Sequence, residues 1–278
     1  MIGPHRGAYG LRLGPPLEDT YLVDVPEGWP DWQLVWRQTP LHERQPERIG
    51  PDDAVLNVRP RGQVLIDRRT QTSTFLLPSA PRPVAWAHPH LASTAVVAAW
   101  WMGRRSFHAG AFVASGGAWG ILGRRGDGKS TMLAWLAACG YEVVCDDMLV
   151  VDQSDALAGP RCIDLRQSAA IQFDMGTYIG RVGTRQRWRR PLPPIAAAVP
   201  LRGWVLPAWR VKTGVARMSA RARLPALLAS QGLTALGTGG RDDWLDLLAL
   251  PMLSFARPRG WPAMEAAMAR LLEEVAGR

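Results

Sequence analysis

One octapeptide near the middle of the 278-residue chain constrains the fold more than any other feature. Residues 123–130 read Gly-Arg-Arg-Gly-Asp-Gly-Lys-Ser and fit the pattern G-x-x-x-x-G-K-[ST] at every fixed position. Glycines in this pattern let consecutive backbone N–H groups turn toward phosphate oxygens, and the following helix adds the positive end of its dipole. The apolar run Trp119–Leu122 precedes the octapeptide, and a helical pattern from Ser130 to about Cys139 follows it. The sequence therefore predicts a phosphate-binding loop between a strand and a helix.

Two residues of the octapeptide have side chains that carry chemistry. Lys129 is expected to reach the β- and γ-phosphates of a nucleotide, and the Ser130 hydroxyl to ligate Mg²⁺. The chain has 31 arginines and two lysines, so a lysine here is what a phosphate site selects over the bulkier, planar guanidinium. A glycine-rich turn with chance spacing is the alternative. The predicted nucleotide contacts are Gly123, Arg125, Gly126, Asp127, Gly128, Lys129, Ser130 and Thr131.

Two adjacent carboxylates, Asp146 and Asp147, end the apolar strand predicted at Tyr141–Cys145. One carboxylate can hold Mg²⁺, and the other can orient or deprotonate an attacking hydroxyl. Adjacent carboxylates also keep each other's pKa values apart, which suits a base. A simple turn at the end of a strand is the alternative, because Asp is common in turns. The phosphate loop upstream favours the functional interpretation.

Three segments together resemble the catalytic domain of bacterial HPr kinase/phosphorylase: Phe107–Gly110, Gly123–Ser130 and Gly140–Asp147. Ile163–Arg166 is also similar to the Glu-Ile-Arg segment of that family, whose acidic residue serves at the metal site. The resemblance covers residues 105–175. It implies an α/β fold with the mixed-sheet P-loop core shared by HPr kinases and phosphoenolpyruvate carboxykinases, with ATP and Mg²⁺ as cofactors.

The resemblance also implies a role for each matching residue. Asp147 would be the base toward a serine hydroxyl, and His108 would tune the neighbouring carboxylates, with a buried structural histidine as the alternative. Arg166 would be either a phosphate-stabilising cation or a surface charge. The implied catalytic residues are Asp147, Asp146, His108 and Lys129, and the implied Mg²⁺ ligands are Ser130, Asp146 and Asp164. Asp164 is one methylene shorter than the Glu of the family.

The predicted organisation has two parts, a β-rich region with one helix at residues 1–104 and a P-loop kinase domain at residues 105–278, or else one continuous domain. The family's larger N-terminal domain is missing or much reduced. The N-terminal strands and a strand and turn at Ser254–Pro258 are similar to those of smaller HPr-kinase-like proteins. Some of those are associated with lasso-peptide and other modified-peptide gene clusters. HPr itself is therefore a doubtful substrate, and kinase activity alone is expected.

The formal net charge of +9 raises nucleic acid as a partner, but no recognition fold accompanies it, and nucleic acid is disfavoured. The basic residues are spread along the chain, with one dense segment, Arg181–Arg190. This segment and Pro191–Pro194 are predicted to form an exposed loop. Such a loop, which carries Trp188, can grip an acidic peptide or nucleotide phosphates, and a solvated loop is the alternative.

Three cysteines, at positions 139, 145 and 162, are odd in number and far apart, so they form neither a disulfide framework nor a zinc pattern. They are expected to be buried thiols in a reducing compartment. The N-terminus lacks the pattern of a signal peptide, and no run of about 18 apolar residues occurs. The sequence therefore predicts a cytoplasmic protein with no membrane span.

Two hypotheses about function follow. The first is an ATP-dependent kinase that phosphorylates a serine, or another hydroxyl, on a peptide or small protein, such as the precursor of a lasso peptide or another ribosomal natural product. The second is a nucleotide-dependent binding or regulatory module without phosphotransfer. The acceptor, the nucleotide base, the role of Lys212 and the formation of a homo-oligomer are left open by the sequence.

Overall fold

The computed structural model describes residues 5–39, 45–58, 61–182, 185–232 and 242–277. Strands and helices combine in a mixed α/β fold, as predicted, with eight strands before the first α-helix. The strands are β1 (Arg6–Ala8), β2 (Leu11–Leu13), β3 (Val23–Asp24), β4 (Asp31–Gln38), β5 (Arg48–Ile49), β6 (Asp53–Val58), β7 (Gly62–Asp67), β8 (Thr72–Leu77), β9 (Arg105–Phe107), β10 (Gly110–Ala114), β11 (Gly117–Ile121), β12 (Val143–Cys145), β13 (Leu149–Asp152), β14 (Asp155–Leu157), β15 (Cys162–Leu165), β16 (Thr177–Val182), β17 (Arg185–Pro191), β18 (Ala198–Trp209), β19 (Gly214–Arg217) and β20 (Met252–Arg257). The helices are α1 (Pro83–Ala85), α2 (Leu91–Trp101), α3 (Lys129–Ala138), α4 (Gln167–Gln172), α5 (Ala220–Leu228), α6 (Asp242–Ala249) and α7 (Met264–Ala276).

The N-terminal region forms one sheet in the order β3-β1-β2-β4-β8-β7-β6-β5. Alternation of buried and less buried residues along β8 shows why these segments are strands, since one face of the sheet covers the core. Residues 6–13 form a tight hairpin of β1 and β2. Tyr9 and Gly10 both have positive φ at its turn, 57° and 82°. The hairpin turns the chain back within two residues.

A second, mixed sheet carries the phosphate-loop motif, with the path β12-β10-β11-β18-β14-β13-β9 and β20 added beside β18. Its long strand β18 runs parallel to β11 on one side and to β20 on the other. The carboxyl ends of parallel strands meet at the same edge of a sheet. The loop that follows β11 therefore lies beside the last residues of β18 and β20, Trp209 and Arg257, which are register partners.

The prediction of an exposed loop at Arg181–Arg190 is wrong. The described residues of this segment, 181–182 and 185–190, belong to β16 and β17, which form a three-stranded sheet with β15 in the order β15-β17-β16. The many arginines of this segment suggested that its side chains are solvated, but side chains on both faces of β17 contact other residues. Trp188 packs on Tyr178 with ring centroids 4.8 Å apart, and Arg189 pairs with a buried carboxylate.

Two clusters of buried apolar residues lie on the two faces of the mixed sheet. The first joins the N-terminal sheet and α2 to this sheet and includes Phe75, Val97 and Trp204. The second lies under α3 and α7 and includes Leu133 and Met268. Because the first cluster draws residues from both sides of position 104, the two predicted regions share a core. The boundary at 104/105 itself stays a prediction.

The structure also bears on the predictions for the cysteines and for membrane spans. Cys145 and Cys162 are buried free thiols, as predicted, whereas Cys139 is exposed because it follows the last turn of α3 at the surface. Within the described ranges, every helix is too short or too polar to cross a membrane.

Candidate active site

The glycine-rich loop at residues 123–128 lies between β11 and α3, as predicted. Gly123, Gly126 and Gly128 have φ values of +127°, +104° and +80°, which L side chains rarely adopt. A Cβ atom on Gly128 would also collide with the Arg257 guanidinium. The Asp127 carboxylate accepts a hydrogen bond from the Arg124 backbone N–H at 2.6 Å and holds the turn. The loop conformation therefore depends on glycine at these positions.

Lys129 is the first residue of α3, and its side chain turns back into the loop. Its Nζ atom donates hydrogen bonds to the carbonyl oxygens of Gly123 at 2.7 Å and Arg124 at 3.3 Å. Burial lowers the pKa of Lys129, and the charges of Asp147 and Asp146 partly offset this effect. The ammonium group is thus held at the mouth of the loop, in a position to bind an anion.

Ser130 and Asp146 are brought together directly beside the loop. The Ser130 hydroxyl donates to Oδ1 of Asp146 at 2.9 Å, and the Asp147 backbone N–H donates to the same oxygen at 2.9 Å. Burial raises the pKa of Asp146 to about 6, and the charge of Asp147 adds to the shift. A hydroxyl beside a carboxylate is an oxygen donor set that fits Mg²⁺. In the described part of the chain, no group of three or more His, Cys, Asp or Glu side chains is arranged to hold a metal ion.

Two histidines face Asp147, which has a left-handed backbone with φ of 68°. Nδ1 of His108 donates to the Asp147 carbonyl oxygen at 2.9 Å and lies 3.4 Å from the carboxylate. Nδ1 of His88 lies 3.8 Å from the other carboxylate oxygen. Burial alone raises the pKa of Asp147, but the charges of His88, His108, Lys129 and Arg187 outweigh burial and hold the pKa below its usual value. Asp147 is therefore ionised at neutral pH.

The local environment lowers the pKa of His108 as well. Burial is the largest cause, and the charge of Lys129 acts in the same direction, while Asp147 opposes both. His108 thus lies at the carboxylates, as the sequence predicted, and holds the backbone of Asp147 in place.

His88 is a site residue that sequence reasoning missed. It has an extended backbone, with φ of −152°, just before α2. Arg189 donates to the carbonyl oxygens of Val84 at 2.6 Å and His88 at 3.4 Å, so the third sheet holds this segment against the site. The only local signal is the sequence His88-Pro89-His90, which says nothing about a residue 59 positions away.

Asp164 does not occupy the predicted position of a Mg²⁺ ligand. Both of its carboxylate oxygens are held by Arg189, with Nε to Oδ1 at 2.7 Å and Nη2 to Oδ2 at 2.9 Å. Both side chains are 3% exposed. Asp164 lies close enough to Asp146 to raise its pKa slightly, but its own charge is neutralised. The expected role of Asp164 is corrected to a structural one.

A cleft of about 630 Å³ opens over the loop. The predicted residues that line it are Arg125, Gly126, Gly128, Lys129, Ser130, Thr131, His108 and Asp147. The N-terminal region contributes a wall that the sequence did not predict, formed by Asn57, Val58, His88, Pro89 and Ser93. Residues from the whole chain therefore surround the space beside the carboxylate of Asp147.

Two further residues missed by sequence reasoning fasten the outer side of the loop. Trp209 Nε1 donates to the Gly126 carbonyl oxygen at 3.2 Å, and Arg257 donates to the Asp127 carbonyl oxygen at 3.1 Å. The Arg257 guanidinium lies 4.0 Å from the ring centroid of Trp209, a cation–π contact. Neither residue belongs to a local motif. Their position follows from the parallel pairing of β18 and β20.

No protein-family model matches this chain. No curated protein matches it. Among solved structures, the HPr(Ser) kinase/phosphatase from Coxiella burnetii is similar at 13% sequence identity and a TM-score of 0.31, over 63% of this chain and 99% of that chain. At this level of likeness no role can be carried from one chain to the other. A function for this protein is therefore inferred from the side chains of the cleft alone.

Proposed function

We propose that this protein is an ATP-dependent kinase that transfers the γ-phosphoryl group to a serine, or another hydroxyl, of a peptide or small protein. The observation that carries the proposal is the placement of Ser130, Asp146 and Asp147 around the lysine of a glycine-rich loop. A phosphate cradle, an oxygen donor pair and an ionised carboxylate are the parts that phosphoryl transfer requires in one place.

The loop would bind the nucleotide phosphates through backbone N–H groups and the first turn of α3. Lys129 would exchange its two carbonyl acceptors for phosphate oxygens, which are better partners for an ammonium group. Ser130 and Asp146 would hold Mg²⁺, which supplies neutralisation of phosphate charge when bound.

Asp147 would orient the acceptor hydroxyl and take up its proton. The acceptor oxygen forms a bond to the γ-phosphorus, the bond from that phosphorus to the β–γ bridging oxygen breaks, and the hydroxyl proton passes to the Asp147 carboxylate. A carboxylate with a lowered pKa is a weak base, but the transition state of phosphoryl transfer is loose and depends mainly on positioning and charge stabilisation. His108 and His88 keep this carboxylate aimed into the cleft.

The proposal is tested by incubating the protein with Mg²⁺, γ-labelled ATP and serine peptides, including a modified-peptide precursor, which the sequence resemblance makes the first acceptor to try. Asp147→Asn is expected to keep nucleotide affinity within about threefold and to lose at least about 100-fold in transfer, because it removes the base but not the cradle. Nucleotide binding by wild type with no transfer to any hydroxyl peptide would contradict the kinase and favour a regulatory module.

Substitution of the loop lysine separates binding from chemistry. Lys129→Arg is expected to lose nucleotide affinity nearly as completely as Lys129→Ala, by roughly 100-fold, because the buried space between two carbonyl groups fits an ammonium and not a planar guanidinium. Titration with a fluorescent ATP analogue measures the affinity. Lys212→Arg, at the other lysine, is the matched control and leaves it unchanged, since Lys212 is exposed and outside the cleft. Retained affinity in Lys129→Arg would contradict the assignment.

A further inference from the structure

The wall of the cleft carries a large excess of positive charge. Six arginines and Lys129 line it, and Asp147 is the one carboxylate among the described lining residues. Magnesium offsets part of the charge of nucleotide phosphates, so the phosphates alone would leave much of this positive charge unbalanced. A second anion in the cleft would balance it.

Three of these arginines, Arg166, Arg185 and Arg187, form a group that we call the arginine wall. No carboxylate within the described ranges lies at ion-pair distance from any of them. Elsewhere in the molecule arginines do find such partners, as Arg104 does with Asp152 at 2.8 Å. Nε of Arg187 is buried and has no hydrogen-bond partner. Nη1 of Arg187 donates to the Asp164 carbonyl oxygen at 3.4 Å. The arginine wall therefore offers guanidinium groups that no carboxylate of the described residues engages.

The guanidinium groups of the arginine wall are close enough to repel one another. The charge of Arg166 above all, with Arg125 and Arg187 adding, holds the pKa of Arg185 below its usual value. Like charges gathered without counterions destabilise a fold. An anion that enters the cleft would relieve this repulsion. Unbalanced positive charge of this kind is typical of an anion-binding site.

The alternation of β17 separates the arginine wall from the structural arginine beside it. Side chains two residues apart share a face of a strand, so positions 185, 187 and 189 point the same way. Arg189, the innermost, is neutralised by Asp164. Arg185 and Arg187 continue the row outward into the cleft, where they have no such partner.

The position of the arginine wall assigns it to the acceptor rather than to the nucleotide. The charge of Arg187 acts on Asp147, the proposed base, so the wall borders the point at which the acceptor hydroxyl arrives. The nucleotide phosphates already have the backbone of the loop, Lys129 and the pair of Ser130 and Asp146. We propose that the arginine wall is a second anion site, which binds acidic side chains of a peptide acceptor next to its reacting serine. This inference rests on the proposed kinase function.

The test compares three fluorescein-labelled peptides that differ only around one serine, where they carry Asp, Asn or Lys. Fluorescence anisotropy is measured with wild type and a non-hydrolysable ATP analogue. The Asp peptide is expected to bind at least about tenfold more tightly than the Asn peptide, because charge-assisted hydrogen bonds to guanidinium are stronger than neutral ones. The charge reversal R185E/R187E is expected to remove this preference and to favour the Lys peptide. Its affinity for the nucleotide analogue should change by less than about threefold.

A control variant, R202E/R217E, makes the same change in net charge at two exposed arginines outside the cleft and is expected to keep the preference for the Asp peptide. Equal binding of the Asp and Asn peptides by wild type would overturn the proposal. Loss of nucleotide affinity in R185E/R187E would also overturn it, since the arginines would then serve the nucleotide. An oligonucleotide that displaces the Asp peptide at lower concentration than unlabelled peptide does would overturn it in favour of nucleic acid.

Phosphate transfer to the same peptides, measured in parallel, keeps the two proposals apart. Preferential binding of the Asp peptide without transfer would contradict the kinase and leave the anion site standing. Transfer to all three peptides at equal efficiency would support the kinase and overturn the anion site. Transfer that follows the order of binding would support both.

Discussion

Asp164 and Arg189 form an ion pair that is almost completely enclosed, and Arg189 also holds the segment that presents His88. Removing one partner of a buried pair leaves the other charge without compensation. The pair therefore links β15 to β17 within one sheet and holds one wall of the cleft at the same time. Its loss is expected to lower the stability of the fold.

Asp164→Ala is expected to lower the free energy of unfolding by about 3–5 kcal/mol, because it strands the Arg189 guanidinium in the interior. Urea denaturation followed by tryptophan fluorescence measures the change. Asp52→Ala, which breaks the exposed pair with Arg69, is the matched control and should have a much smaller effect. A double replacement by apolar residues, D164L/R189M, is expected to recover much of the loss. An Asp164→Ala variant as stable as the control would show that the pair contributes nothing.

His90 makes folding sensitive to pH. Burial, with the charge of His88, lowers its pKa to about 4, and its Nδ1 atom is buried without a partner. Because the folded pKa lies below the unfolded value, the stability is fully present above about pH 6.5 and is lost as the pH falls toward 4. At pH 5 the loss from this one group is about 2 kcal/mol.

His90→Phe is expected to remove this dependence, since a phenyl ring fits between Phe75 and Trp86, which His90 contacts now. The difference in unfolding free energy between the variant and wild type should widen by about 2 kcal/mol from pH 7.5 to pH 5. Denaturation curves at the two pH values provide the measurement. A constant difference would mean that His90 does not titrate in this range.

The residues of the site that sequence could predict are those of local patterns. The loop, Ser130 and the two aspartates come together as expected, because each lies where a strand ends or a helix begins. His88, Trp209 and Arg257 could not be predicted, since pairing between distant strands and the packing of the N-terminal region place them. The prediction for Asp164 failed because its partner, Arg189, is 25 residues away in a segment interpreted as a loop.

At the scale of elements, the turn from β11 into α3 depends on Gly128. Gly128→Ala is expected to reduce nucleotide affinity at least about tenfold, because φ of +80° is strained for alanine and the Cβ atom would displace Arg257. Gly140→Ala is the control. Gly140 has φ of +86° but open space around its Cβ position, so it should cost about 1 kcal/mol of stability and leave nucleotide affinity unchanged. Equal nucleotide affinities of the two variants would argue against a role for the Arg257 contact in holding the loop.

Among the elements, apolar patterning predicted α3 and the strands on either side of it, β11 and β12, with bounds that differ by one or two residues from those of the structure. It failed at the end of β16 and along β17, where arginines of β17 alternate with polar and aromatic residues and no apolar stripe is visible. Cross-strand pairing and ion pairing stabilise these strands in the folded chain, and a single sequence does not display such pairs.

For the whole molecule, a shared core implies joint folding. The first apolar cluster joins residues such as Leu34 and Phe75 to Leu149 and Trp204 on the mixed sheet. Arg82 adds hydrogen bonds to the carbonyl oxygens of Ile179 and Arg181, at 2.6 and 2.7 Å. The N-terminal region therefore contributes to the core as well as to the wall of the cleft.

The full chain is expected to unfold in one cooperative transition, with coincident midpoints by tryptophan fluorescence and far-UV circular dichroism, because neither region keeps a complete core without the other. A fragment of residues 105–278 should lack a cooperative transition altogether. Two separated midpoints, or a fragment that folds by itself, would instead support two independent domains.

The arrangement of arginines on β17 has a consequence for how such a protein can evolve. The inner position, 189, is tied to the fold through Asp164, so a change there must be matched by a change at 164. The outer positions, 185 and 187, lie on the same face but hold no structural partner by ion pairing. Substitutions at these two positions therefore break no ion pair of the described residues, and at position 187 they remove one hydrogen bond of 3.4 Å to the Asp164 carbonyl oxygen. If the proposed kinase function holds, a lineage would change its acceptor by altering positions 185 and 187 at the outer end of β17 while position 189 at the inner end stays as it is.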